Sequence, residues 1–141
     1  MSETTRNQPN ITRAGARTAM EAALARAEEL GLAMNIAIAD SAGRLVAFER
    51  MDGAMPISAG IAQDKAWTVI AGNGLPTADW YETISSDPAL KQGFPHRDRL
   101  VIFGGGVPIT VDGQLVGAVG VSGGSAEEDA DVASAGAAAV S

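Results

Sequence analysis

Apolar residues first recur at helical spacing at Ala16, Ala19, Met20, Ala23, Leu24, Ala27 and Leu30. That stripe predicts an amphipathic helix over about 13–30, with Thr12 as its N-cap and Gly31 as its stop. Residues 34–39 are apolar apart from Asn35, and a second short run covers 45–48. Between them Asp40-Ser41-Ala42-Gly43 reads as the turn of a hairpin. Pro56 opens a second helix that runs to about residue 71 and stops at Gly72-Asn73-Gly74.

Residues 75–99 follow no clear period and contain Pro76, Pro88 and Pro95. One short helix over 77–85 is expected there. A connection of this length inside a compact domain is usually functional or an oligomer contact. Residues 100–103 read as a strand. After Gly104-Gly105-Gly106, two further apolar runs flank Asp112-Gly113, a strong hairpin signal. Ser125 then caps a final helix over about 126–140, with Glu127, Glu128 and Asp129 in its first turn, where they complement the macrodipole. Tight hairpins imply an antiparallel sheet, here of about five strands, with helices packed on it: an α+β domain.

The chain has 141 residues, enough for one domain with a proper core. The polar segment 1–11 reads as a flexible tail and 12–141 as the domain. Aromatics make up only 4%, so the core packs through small side chains and lets elements approach closely. A net charge of −7 argues against nucleic acid and against anionic membrane surfaces. Having no cysteine excludes disulfides, thiolate nucleophiles and zinc ribbons, and fits a cytoplasmic protein. No apolar run is long enough to span a bilayer.

Several segments, taken together and in order, resemble the GlcG/HbpS family. This haem-binding-protein-like family also occurs as the C-terminal domain of PduO-type cobalamin adenosyltransferases. The segments are Asp40-Ser41-Ala42-Gly43-Arg44-Leu45-Val46-Ala47, Arg50-Met51-Asp52-Gly53-Ala54 and Ala62-Gln63-Asp64-Lys65-Ala66. They continue with Gly104-Gly105-Gly106-Val107-Pro108-Ile109, then Asp112 through Gly124, and Glu128-Asp129 before the last helix. The resemblance implies a profilin-like sandwich, a homo-oligomer and, in some members, haem or corrinoid binding. A shared fold limits function only loosely.

Within this frame the residues offer two kinds of chemistry. Arg50 can clamp a carboxylate or propionate bidentately, oriented by Asp52, or the two can simply pair with each other. Lys65 lies among apolar residues. It can reach a ligand carboxylate, act as a base or Schiff-base amine, or bridge to Asp64 or Asp52. Gly104, Gly105 and Gly106 can turn backbone N–H groups toward an anion. They do not make a P-loop, since no Gly-Lys-Ser/Thr follows. The later glycines lead to an acidic helix start, which disfavours a dinucleotide.

His96 is the sole imidazole, and so the only conventional haem ligand or near-neutral proton carrier. The resemblance carries no histidine ligand onto it. Met20, Met34, Met51 and Met55 are weaker iron ligands and more often fill core gaps. Trp80 and Tyr81 adjoin in the irregular segment and, with Trp67, Phe94 and Phe103, can line a pocket for a flat ligand.

Two functions follow. In the first, an oligomeric protein binds haem or another carboxylate-bearing ligand through Arg50, Met51, Lys65, Trp80, Tyr81 and Gly104–Gly106. In the second, a cofactor-free isomerase, hydratase or deaminase acts on a small carboxylate through Lys65, Asp52 and His96. No resident metal site is expected.

Overall fold

The structure, a computed structural model, describes residues 3–141. Its first helix, α1 (Arg13–Glu29), starts where the Thr12 hydroxyl accepts the Gly15 N–H at 3.0 Å. Beyond its end Gly31 takes a φ of +70°, which glycine adopts without penalty. β1 (Asn35–Asp40) and β2 (Leu45–Arg50) form the first hairpin. Its turn is closed by the Asp40 carboxylate, which accepts the N–H groups of Ala42 and Arg44. β3 (Gly106–Val111) and β4 (Gln114–Ser122) form the second hairpin. There Asp112 and Gly113 have φ of +51° and +76°, the twist that a two-residue hairpin loop requires.

The sheet is antiparallel throughout, in the order β2-β1-β4-β3, so the two hairpins meet through β1 and β4. The α+β class is as expected, but the sheet has four strands, not about five. Residues 100–103 join no ladder. Their backbone is held instead by a side chain: the Thr68 hydroxyl donates to Arg99 C=O and accepts Val101 N–H, both at 3.0 Å.

Helices cover both faces of the sheet. α1 and α5 (Ala126–Ala138) pack against Ile36, Ile38, Val119 and Val121 on one face. α2 (Ile57–Ala71) packs against Ala37, Ala39 and Ala118 on the other. Between these layers every residue of β1 is buried. α2 approaches so closely that a Cβ on Gly120 would collide with the backbone of Ala62 and Ala66. This is what the alanine- and glycine-rich composition provides. α5 begins at the predicted cap, where Ser125 Oγ accepts Glu128 N–H and Glu128 Oε1 accepts Ser125 N–H.

The irregular segment folds into short pieces. A 3-10 turn, Thr77–Asp79, leads into α3 (Trp80–Ser85), covering the helix expected over 77–85. α4 (Pro88–Gly93) follows, capped by Asp87, and then a second 3-10 turn, Phe94–His96. In the N-terminal segment, residues 1 and 2 lie outside the described residues. Gln8 Nε2 donates to Leu115 C=O, and Asn10 Oδ1 accepts Ser41 N–H at 2.8 Å. Ile11 N–H donates to Val116 C=O. Among the described residues no helix is long and apolar enough to cross a membrane.

Candidate functional site

Lys65 falls on the buried face of α2, in phase with Ser58, Ala62, Ala66 and Val69. Its side chain is 1% exposed. The ammonium donates to Asp129 Oδ2 at 2.8 Å and to Val121 C=O at 2.9 Å, and the Phe103 ring lies 5.2 Å away. Asp129 in turn accepts Gly124 N–H on Oδ1. Burial pushes the Lys65 ammonium below its ordinary pKa and the Asp129 carboxyl above its own, and the bond between them opposes both shifts.

The glycine loop does lie beside this lysine. A Cβ on Gly105 would stand 2.5 Å from Lys65 Nζ and equally close to Val121 C=O. Two of the loop's polar groups are committed within the protein: Gly106 N–H donates to Thr77 Oγ1 at 2.8 Å, and Gly105 C=O accepts Val121 N–H.

Arg50 is exposed at the end of β2, opposite Asn35, and Asp52 sits in the exposed turn that follows. Among the described residues no ion pair joins them to each other or to Lys65. Met51 packs against the core, and its sulfur accepts Met34 N–H at 3.4 Å. Tyr81 is half exposed, under the Lys91 ammonium. Lys65, Asp52 and His96 share no hydrogen bond or ion pair among the described residues.

A different group of residues is gathered into a cleft of about 520 Å³ between the end of α2 and the irregular segment. Trp67, Trp80 and Phe94 supply aromatic walls, while His96, Arg97 and Arg99 bring an imidazole and two guanidiniums. The volume lies within the roughly 300–1,000 Å³ range of small-molecule sites. Trp80 and Phe94 pack with ring centroids 5.3 Å apart at 54°. The edge of Trp80 lies against Gly72, where an added Cβ would come within 3.0 Å of the ring. Trp80 Nε1 is buried and has no hydrogen-bond partner among the described residues, an arrangement native interiors rarely leave.

Of the candidates read from the sequence, Trp67, Trp80, Phe94 and His96 line this cleft, and Lys65 and the glycines belong to the closed cluster. Arg97 and Arg99 were missed because surface arginines carry no periodic signal. Asp129 was missed as the partner of Lys65. Its signal is its phase with Val132, Ala133 and Gly136, the buried face of α5.

A sheet held between helices, with a cleft lined by aromatic and arginine residues at one end, defines an α+β domain. The chain belongs to the haem degrading protein HbpS-like family, whose model matches residues 11–138. Protein GlcG of Escherichia coli K12 is 40% identical over 96 residues, covering 68% of this chain and 69% of GlcG. ORFY of Klebsiella pneumoniae superposes with a TM-score of 0.89 at 28% identity, covering 99% of this chain and 96% of ORFY. The structure of a PduOC–haem complex superposes with a TM-score of 0.85 at 32% identity, covering 93% of this chain and 95% of that one.

Proposed function

We propose that this protein binds a planar, carboxylate-bearing ligand of the haem type in the cleft between α2 and the irregular segment. The observation that carries the reading is the convergence of Trp67, Trp80 and Phe94 with His96, Arg97 and Arg99 around one cavity. The donor set fits haem: aromatic faces suit the macrocycle, His96 would offer its imidazole to the iron, and the guanidiniums would suit the propionates. The haem in the PduOC complex supports the same ligand class. Exposed apolar side chains at Met55, Ile57 and Phe103 support self-association, which sedimentation velocity tests.

Titration with haemin tests the reading. The expected result is a shifted Soret band that reverts toward free haemin in His96→Ala and weakens in Trp80→Ala. A spectrum unaffected by the protein, or shifted identically in both variants, overturns it.

A further inference from the structure

We propose that Arg99 is the anion clamp of this cleft, taking one carboxylate of a planar ligand on the two terminal nitrogens of its guanidinium. The proposal rests on the cleft being the ligand site. Four features of Arg99 converge on it. Its backbone stands at φ +66°, in the left-handed region that non-glycine residues seldom occupy. Backbone strain of this kind persists only where the surroundings enforce it, and it clusters at ligand clamps. Here the enforcing group is Thr68, 0% exposed, whose hydroxyl grips Arg99 C=O and Val101 N–H.

The guanidinium itself is also fixed. Its Nε donates to Asp64 Oδ1 at 2.9 Å, and its Cζ lies 5.0 Å from the centroid of the Trp67 ring. Stacking on one face and a carboxylate at Nε leave the terminal amino groups without a protein acceptor among the described residues. Those two groups form the fork that matches a carboxylate. Arg97 lines the same cleft and has no ion pair among the described residues, whereas Arg99 already shares its charge with Asp64, so the cleft holds one guanidinium without a counter-charge beside one whose fork is open. The ligand class that follows is a flat ring system, lying among Trp67, Trp80 and Phe94, with a free carboxylate at its rim.

Haemin, haemin dimethyl ester and naphthalene-2-carboxylate are the probes, with Soret absorbance and the two tryptophan indole N–H resonances as readouts. Arg99→Gln removes the fork. Arg99→Gly removes it while accepting the positive φ without strain, so a folded variant is available. Wild type is expected to bind haemin at least about tenfold more tightly than its ester, the scale of one lost hydrogen bond to a charged group. Both variants are expected to erase that preference, and naphthalene-2-carboxylate is expected to move the Trp67 indole resonance in wild type alone.

Equal binding of haemin and its ester by wild type, or a preference that survives both substitutions, overturns the clamp and leaves haem binding standing. Binding of naphthalene-2-carboxylate that needs Arg99, without any binding of haemin, upholds the clamp and overturns the tetrapyrrole reading. No response to any probe at millimolar concentration overturns both.

Discussion

The Lys65 ammonium and the Asp129 carboxylate lie 2.8 Å apart, with side chains 1% and 4% exposed. The pair ties α2 to α5 through the sheet, since the same ammonium also reaches Val121 C=O on β4. Lys65 therefore closes the core beneath the glycine loop, its ammonium spent on contacts within the protein.

Breaking that pair from one side strands a buried charge. Asp129→Asn or Lys65→Met alone is expected to lower stability by about 3–5 kcal/mol. The double variant Lys65→Met with Asp129→Leu is expected to recover much of the loss. Urea unfolding of the four proteins at neutral pH measures this. Single variants within about 1 kcal/mol of wild type, the range of ordinary surface changes, would show that the pair is not structural.

Asp40 gives the fold a pH dependence. Burial alone raises its pKa, but the N–H groups of Arg44 and Ala42 and the Arg44 guanidinium outweigh burial and hold it below its ordinary value. A carboxylate whose folded pKa is depressed stabilises the fold above its unfolded pKa of about 3.9 and loses that contribution as pH falls through the lower folded value. The melting temperature of wild type should exceed that of Asp40→Asn at pH 6–7, and the gap should close as pH falls below about 3.9. A gap that stays constant down to pH 3 would contradict the assignment.

Gly120 marks the closest approach of α2 to the sheet. A methyl group there meets the backbone of Ala62 and Ala66 rather than a movable side chain. Gly120→Ala is expected to cost more than about 3 kcal/mol, at or beyond the upper end of ordinary overpacking. Gly60→Ala is the control, because nothing lies within 4 Å of its added Cβ. Comparable denaturation midpoints for the two variants would refute the close approach.

Thr68 holds the cleft from beneath. Thr68→Val removes the acceptor of the Val101 N–H, and an unpaired buried donor costs about 1–3 kcal/mol. Hydrogen exchange at the Val101 amide should accelerate more than at amides of β1. Unchanged protection at Val101 would mean that the hydroxyl does not hold this segment.

Local features were legible in the chain. Thr12 and Ser125 announced their caps and Asp112-Gly113 its turn, because each acts through groups only a few residues away. The stripe on α1 likewise named the helix's buried face. The supposed strand over 100–103 failed because its apolar residues match a strand pattern, while the group that holds its backbone, Thr68, is 31 residues from Arg99. The pairing of Lys65 with Asp129 spans 64 residues, and Asp64 and Asp52 were nearer in sequence. Arg50 and Asp52 stood out as neighbours after a strand, yet they share no ion pair among the described residues.

The sequence by itself determined the elements, their caps and turns, the α+β class and the family resemblance. These depend on periodicity, on backbone conformations that few residues accept, and on the order of short motifs. Only the tertiary structure decided that β1 pairs with β4, that Lys65 is spent inside the protein, and that Trp67, Trp80, His96 and Arg99 face one cavity. Those relations join residues distant along the chain. They are selected by the packing of α2 against a glycine- and alanine-lined sheet, where distances are set by the collision of backbones and not by any local pattern.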